Sequence, residues 1–343
     1  MAIVAGFDVH RHQITFDALD TETGELNCGR IASTREAVGG WVGRFPGQQA
    51  EVAVEACTGW LFVCEALAEA GAVPHLADPA EVAARRGKKR RAKTDRADAR
   101  HLRQLLAEGR LPEAWLPPAH VREWRTRTRL RKTLVDERSK WRQRIQATLF
   151  HHGVPAGSVP ARLLSAEGRR VLAALPLPEA ARERIQVGLT IVDAIDAQLA
   201  PLERELRALA RRQTGCQALQ RHFGIGPLTA STILVELGDV TRLSASRKAV
   251  RAVGLDIGVH RSDRHSRLGK LTRQGPPEAR WALYEAAQSA CRRTSPDHQH
   301  YLALRARGLS HTQASLTIAR KLARRCFHTL RALGPAAIEP VSD

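Results

Sequence analysis

The first hundred residues switch repeatedly between short apolar runs and runs with helical spacing. AIVAGFDV and ITFDALD are compact apolar segments that predict strands, with TETGE as the turn behind them. LNCGRIAS supplies a third strand, so the chain opens as a three-strand meander. A helix is expected over Thr34–Arg44. EVAVEA then reads as a strand, LFVCEALAEAG as a helix stopped by Gly71, AVPHLA as a strand and PAEVAARR as another helix. A meander followed by alternating helix and strand predicts a mixed α/β sheet.

From about Pro112 to Gln213 the pattern becomes that of long helices. Val121, Trp124, Leu134, Trp141, Ile145 and Leu149 are sparse but fall at helical spacings. A break follows at HHGVPAGSVP. Beyond it Ile185, Leu189, Val192, Ile195, Leu199, Leu202, Leu206 and Leu209 recur at steps of three and four, a coiled-coil seam with one irregular step near Val192. A hairpin within the chain and a dimer seam both satisfy that pattern. The last segment opens with HFGIGPLTASTILVELGDV, in which Gly224 and Gly226 make a turn ahead of a helical run. This suits a helix-hairpin-helix, whose free backbone N–H groups can hold a phosphate, although most such turns are only turns. GLDIGVHRSDRHSRLGKLTRQGPP reads as a polar loop, and helices near Glu278–Arg293 and His298–Leu333 close the chain. The expected divisions are therefore 1–110, α/β; 111–215, helical and coiled-coil; and 216–343, mainly helical.

Charge changes this picture more than size does. The 343 residues carry 54 Lys and Arg against 35 Asp and Glu, a formal net charge of +19. Such an excess predicts a polyanionic partner, most often nucleic acid, through release of counterions from phosphates. The first sixty residues hold eight acids and four Lys or Arg, so the excess lies elsewhere. It lies in Arg85–Arg110, with eleven Lys or Arg against three acids, and in Arg122–Arg144, with ten against three. An apolar run of membrane-spanning length and a basic signal-peptide start are both missing from the pattern, so a cytoplasmic protein with no membrane partner is expected. The six cysteines form no CxxC pair and predict small buried hydrophobes rather than a zinc site. The P-loop pattern GxxxxGK[ST] is also missing.

Four acids stand out by position. Asp8 closes the first predicted strand, Glu55 closes EVAVEA, and Asp95 and Asp98 begin a helix directly behind the basic run GKKRRAK. Positions i and i+3 share a helix face, so the two aspartates repel one another unless something offsets them. Individually they read as an N-cap and a first-turn acid that complements the helix dipole. Together, two strand-end acids and a DxxD helix form a set of hard oxygen donors suited to Mg²⁺. Paired ions in such a site can stabilise both the attacking and leaving oxygens of a phosphodiester. Lys88, Lys89, Arg90, Arg91 and Lys93 stand where a phosphate clamp would be needed.

At this point the residues resemble a known family: the DEDD transposases of insertion sequences related to the Piv site-specific invertase, the bridge-RNA-guided recombinases. GFDVHRHQITFDALD is similar to the opening strand of that family, with Arg11 where Lys is usual. VEACTGWLFVCEALAEAGAVPHLADPAEV resembles its second block, with Trp60 at a common Tyr position, and KTDRADARHLRQLL its third. GIGPLTASTILVELGD and GLDIGVHRSDRHSRLGKLTRQG resemble its C-terminal transposase block, with Asp263 after Ser262 where Gly is usual. GPPEAR replaces the more usual Gly-Asn start of the next helix, and Arg280 matches the family arginine.

The resemblance implies an RNase-H-like (RuvC-like) domain, a coiled-coil region and a C-terminal transposase domain. It implies that Asp8, Glu55, Asp95 and Asp98 are the metal ligands and that Ser262 is the nucleophile of a transient phosphoserine link to DNA, with Ser266 as its competitor. It also implies a structured non-coding RNA that pairs with donor and target DNA, and a homo-oligomer in which dimers assemble into a tetramer. Arg261, Arg264, Arg267, Lys270 and Arg280 are the expected nucleic-acid contacts around the serine. Two other readings stay open at this level: a metal-dependent Holliday-junction nuclease without a covalent serine, and a non-enzymatic nucleic-acid-binding coiled-coil protein.

Overall fold

The computed structural model describes residues 2–86, 94–262 and 265–341. Lys88, Lys89, Arg90, Arg91, Lys93 and Arg264 lie outside the described residues, as do the side chains of 259–270. The chain divides into two compact units, 1–116 and 117–343. The expected coiled-coil region and the expected C-terminal domain thus share the second unit.

In the first unit β1 (Ala2–Val9), β2 (Gln13–Asp20) and β3 (Leu26–Ala32) form the meander. α1 (Arg35–Val42) leads to β4 (Gln49–Glu55), α2 (Trp60–Glu69) to β5 (Val73–Ala77), and α3 (Pro79–Arg85) precedes α4 (Asp95–Ala107). The five strands lie in the order β3-β2-β1-β4-β5, antiparallel through the meander and parallel from β1 to β5. Alternation along each strand separates two faces. Ile3, Phe7, Ile14, Phe16, Val52 and Val54 pack against Val38, Trp41, Val63 and Leu67 of α1 and α2. Phe7 meets the indole of Trp41 edge-on, with ring centres 4.8 Å apart. The opposite face carries Gly6, Asp8, Thr15, Asp17, Ala53 and Glu55. There Ala53 joins Leu102 and Leu105 of α4 in a second core. β2 is buried on both faces, with Ile14, Phe16 and Ala18 on one and the polar Thr15 and Asp17 on the other.

In the second unit α5 (Ala119–His151), α6 (Ala166–Ala174) and α7 (Glu179–Arg212) come first. The nine-residue α6 falls in a stretch left unassigned from sequence. α5 and α7 pack antiparallel, since Ile145 meets Gly188, Arg138 pairs with Asp196 and Arg131 with Glu203. The seam residues Ile185, Leu189, Val192, Leu199 and Leu206 are buried in this pairing. Within one chain the seam is therefore a hairpin. α7 is also long and apolar enough by composition to cross a membrane, against the expectation that no run approached that length. Part of its apolar stripe is buried within the unit.

α8 (Thr214–Leu219), α9 (Pro227–Leu237) and α10 (Ser246–Ala252) follow, then β6 (Ile257–Ser262) and β7 (His265–Leu271). The expected polar loop is thus an antiparallel hairpin with a bulge near its foot, between Ile257 and Val259. α11 (Pro277–Gln288), α12 (His298–Ala306) and α13 (His311–Leu333) complete the unit. A single helix was expected over the last two. Gly308, with φ at +84°, ends that run, and Ser310 caps α13 in a capping box with Gln313.

Candidate metal centre and hairpin serine

Two strand ends and one helix start build the first site. β1 and β4 run parallel, with Phe7 opposite Val54, so Asp8 and Glu55 follow side by side at their carboxyl ends. Both lie on the face that α4 covers. α4 reaches that face because Gly6 has no side chain: a Cβ there would lie 2.1 Å from the Ala99 carbonyl oxygen and 2.6 Å from the Arg103 nitrogen. Arg103 fixes the approach from the other end. Its Nε donates to the buried Asp17 on β2, and Arg100 Nε lies 3.6 Å from the same carboxylate.

The start of α4 leaves its acids free of capping duty. Thr94 is the N-cap, and its hydroxyl accepts from the Ala97 amide at 3.2 Å. The N-cap role weighed for Asp95 therefore belongs to Thr94. Asp95 is at the first helical position, where its charge complements the helix dipole, and Asp98 is buried one turn on. Asp98 Oδ1 accepts from Arg86 Nη1 at 2.5 Å.

Asp8, Asp95 and His10 offer ligand atoms that all lie within 4.8 Å of one another. His10 Nε2 is 3.1 Å from Asp8 Oδ2 and 3.5 Å from Asp95 Oδ1. Burial raises the pKa of Asp8 above its ordinary value; His10 opposes this, while the charges of Asp98 and Asp95 add to it. The Cys57 thiol is likewise pushed up, first by burial and then by Glu55 and Asp8. A half-buried carboxylate with two further carboxylates and an imidazole nearby is a donor set that a divalent cation can offset, so the residues fit a metal. His10 escaped the sequence reading. Its signal was a histidine two residues past the strand-end acid, in DVH.

The second site is the β6–β7 hairpin. Ser262 ends β6 and pairs with His265, while Ser266 stands on the next rung opposite Arg261. His260 stands opposite Arg267 on the rung after that. The foot of the hairpin is pinned. Arg280 Nη1 donates to the carbonyl of Gly275 at 2.9 Å, with those of Val253 and Arg273 at 3.4 Å. Burial lowers the pKa of Arg280, with Arg273 adding to the effect. Arg320 Nε holds the Leu255 carbonyl at 2.8 Å. Of the expected nucleic-acid contacts, Arg280 is thus engaged with backbone, while Arg261, Arg267 and Lys270 are placed by their backbone alone.

Gly224 and Gly226 form the turn between α8 and α9. Gly224 has φ at +88°, and a Cβ would strike Ser289 Oγ at 2.3 Å, so packing against the end of α11 explains it. Gly226 is the N-cap of α9 and faces open space. The basic stripe of α5 is largely spent on acids. Arg125 and Arg129 pair with the buried Glu236, Arg127 with Glu205, Arg131 with Glu203, and Arg138 with Asp196.

Comparison with known proteins agrees with this layout. A DEDD transposase model of the IS110 type matches residues 5–152, and a model described as the transposase IS116/IS110/IS902 family matches residues 216–303. Together they cover more than half of the chain. An "Insertion element IS116 uncharacterized 44.8 kDa protein" of Streptomyces clavuligerus is 27% identical over 210 residues, 60% of this chain and 50% of its own length. A "Probable family 20 transposase" of Pseudomonas aeruginosa is 26% identical over 246 residues, 70% of this chain and 71% of its own. The chain thus spans half of the first of these relatives and about seven-tenths of the second. A "Transposase for insertion sequence element IS1111A" of Coxiella burnetii is 29% identical over 97 residues, 28% of this chain and 27% of its own. With both of its sites inside regions matched by these models, the chain belongs to the IS110/IS116 family of DEDD transposases.

Proposed function

We propose that this protein cleaves and rejoins DNA strands at the ends of an insertion element, through a serine–DNA intermediate, using Mg²⁺ held by Asp8, Glu55, Asp95 and Asp98. The observation that carries this reading is the convergence of Asp8 and Asp95, with Asp98 one turn on, where β1 and β4 end. The first unit is read as RNase-H-like (RuvC-like), supported by its meander, its two following parallel strands and the acids at one sheet edge. When bound, the ion supplies charge stabilisation to the oxygens of the reacting phosphodiester. The chain's own residues do the rest. Ser262 Oγ gives up its proton to water and bonds to phosphorus. The bond from phosphorus to the DNA 3′ oxygen breaks, and that oxygen leaves and takes up a proton. A 5′-phosphoserine results, which keeps the phosphodiester's energy for rejoining.

A serine hydroxyl is a weak nucleophile at neutral pH and needs a base or a metal to activate it. The tip position of Ser262 supports its assignment over Ser266. Arg261, Arg264, Arg267 and Lys270 supply positive charge for the pentacovalent phosphorus. The run from Lys88 to Lys93 is read as the phosphate clamp, with Gly224 and Gly226 offering backbone to a second stretch of nucleic acid. Resemblance to the family, with the net charge of +19, supports a structured guide RNA as a further partner. It likewise supports dimers assembling into a tetramer in the cytoplasm.

The test traps the reaction on nicked target DNA with the guide RNA present, denatures it, and maps any DNA-modified peptide. Ser262→Ala is expected to bind RNA and DNA yet form neither adduct nor recombinant, while Ser266→Ala keeps both activities at least in part. An adduct on Ser266, or full recombination by Ser262→Ala, overturns the serine assignment. Metal-dependent cleavage without an adduct in any variant favours the Holliday-junction nuclease instead.

A further inference from the structure

We propose that His10 is a direct ligand of the metal, so that this centre discriminates in favour of Mn²⁺ over Mg²⁺. The inference rests on the metal reading above and adds a nitrogen to a set otherwise made of carboxylates.

The geometry carries it. His10 is the residue after β1, and the turn there is fixed by its amide donating to the Gln13 carbonyl at 3.0 Å. The imidazole therefore starts from the same strand end as Asp8. Its Nε2 stands 3.1 Å from Asp8 Oδ2 and 3.5 Å from Asp95 Oδ1. Neighbouring ligand atoms around a six-coordinate ion with bonds of about 2.1 Å are about 3 Å apart. The imidazole nitrogen stands near that separation from each carboxylate oxygen, and the three atoms lie within 4.8 Å of one another. Nε2 is at hydrogen-bond distance from Asp8 and also close to Asp95, so one ring nitrogen faces both acids, where an ion between them would meet it.

The consequence for metal choice follows from donor chemistry. Mg²⁺ sheds water reluctantly and takes oxygen donors, whereas Mn²⁺, which shares its liking for carboxylate, is a first-row transition ion that also accepts an imidazole nitrogen. One imidazole in the set therefore adds a bond that Mn²⁺ uses better than Mg²⁺. His10 is half-exposed in its side chain, which leaves the ion an open side for water or phosphate.

The experiment loads the full-length protein with Mn²⁺ and reads the ion by electron spin echo, together with Mn²⁺ and Mg²⁺ affinities by calorimetry, in wild type, His10→Ala and Asp95→Asn. Wild type is expected to show the hyperfine coupling of a directly bound nitrogen. His10→Ala should lose that coupling and weaken Mn²⁺ binding on the order of tenfold or more, with Mg²⁺ binding changed far less. Asp95→Asn should weaken both ions. Mn²⁺ bound in wild type without a nitrogen coupling, or a coupling that survives His10→Ala, overturns this inference and leaves the carboxylate centre standing. Failure of wild type to bind either ion overturns this inference and the metal reading together.

Discussion

Gly6→Ala should disable the centre from beneath while touching none of its ligands. The added methyl would lie 2.1 Å from the Ala99 carbonyl oxygen, 2.6 Å from the Arg103 nitrogen and 2.8 Å from the Leu102 Cβ. Ordinary contact starts at 3.4 Å, so α4 must retreat by about 1 Å or more. Two of the three obstacles are backbone, so no rotamer change relieves them. Overpacking of a core costs about 1–3 kcal/mol, and a backbone clash belongs at the upper end. A loss of about 3 kcal/mol would lower the melting temperature by on the order of 10 °C. The same retreat carries Asp95 and Asp98 away from Asp8, and a misplacement of about 1 Å can cost on the order of a hundredfold in rate. The assay is thermal melting with and without Mg²⁺, beside strand cleavage at a temperature where the variant is folded. Gly40→Ala is the control. It sits in α1 with no atom within 4 Å of the added methyl, and should be neutral or stabilising by up to about 1 kcal/mol. Wild-type melting and cleavage in Gly6→Ala would refute the claim that close approach of α4 builds the site.

Other outcomes follow from charge. Burial pushes the pKa of Asp297 up, but hydrogen bonds from Arg325 and Lys321, with their charges, bring it below its ordinary 3.8. A depressed carboxylate stabilises above its unfolded pKa and loses that stability as pH falls through the folded one. Asp297→Asn should therefore be less stable than wild type by about 1–3 kcal/mol at pH 7. The gap should close only below pH 3.8, as measured by urea titration at several pH values. If about six phosphates are neutralised, nucleic-acid affinity should fall roughly a thousandfold between about 50 and 200 mM salt. Glutamine at Lys88, Lys89, Arg90 and Arg91 together should weaken binding and flatten that dependence, and filter binding across a salt series would expose a failure.

The sheet was legible because its strands carry the apolar periodicity of their burial. Phe7, Phe16 and Val54 face one core, and the doubly buried β2 still alternates apolar Ile14, Phe16 and Ala18 with polar Thr15 and Asp17. The positions of Asp8 and Glu55 at strand ends and of Asp95 and Asp98 in the first turn of α4 were legible, because acids at such places have positional meaning. His10 was not, since one histidine in a polar turn carries no periodic signal and its relation to Asp95 spans 85 residues of sequence. The β6–β7 hairpin read as a loop because HRSDRHSR offers cations and hydroxyls where a half-buried strand alternates with apolar residues. The α5 cations misled for a related reason. Their partners, Glu203 and Glu236, lie 72 and 107 residues away, and only the antiparallel packing of α5 and α7, with α9 alongside, joins them. The seam of α7 left its partner open in the sequence, and those pairs place α5 against it within the chain.

The most direct test of the central claim compares metal-dependent strand cleavage by wild type, Asp95→Asn and Asp98→Asn, each first shown to be folded by circular dichroism and melting. The loss of one ligand should remove on the order of 4 kcal/mol or more of transition-state stabilisation, roughly a thousandfold in rate. Both variants should keep the wild-type fold and cleave at least that much more slowly at every Mg²⁺ concentration. Near-wild-type cleavage by both would contradict a carboxylate-held metal at the end of β1 and the start of α4.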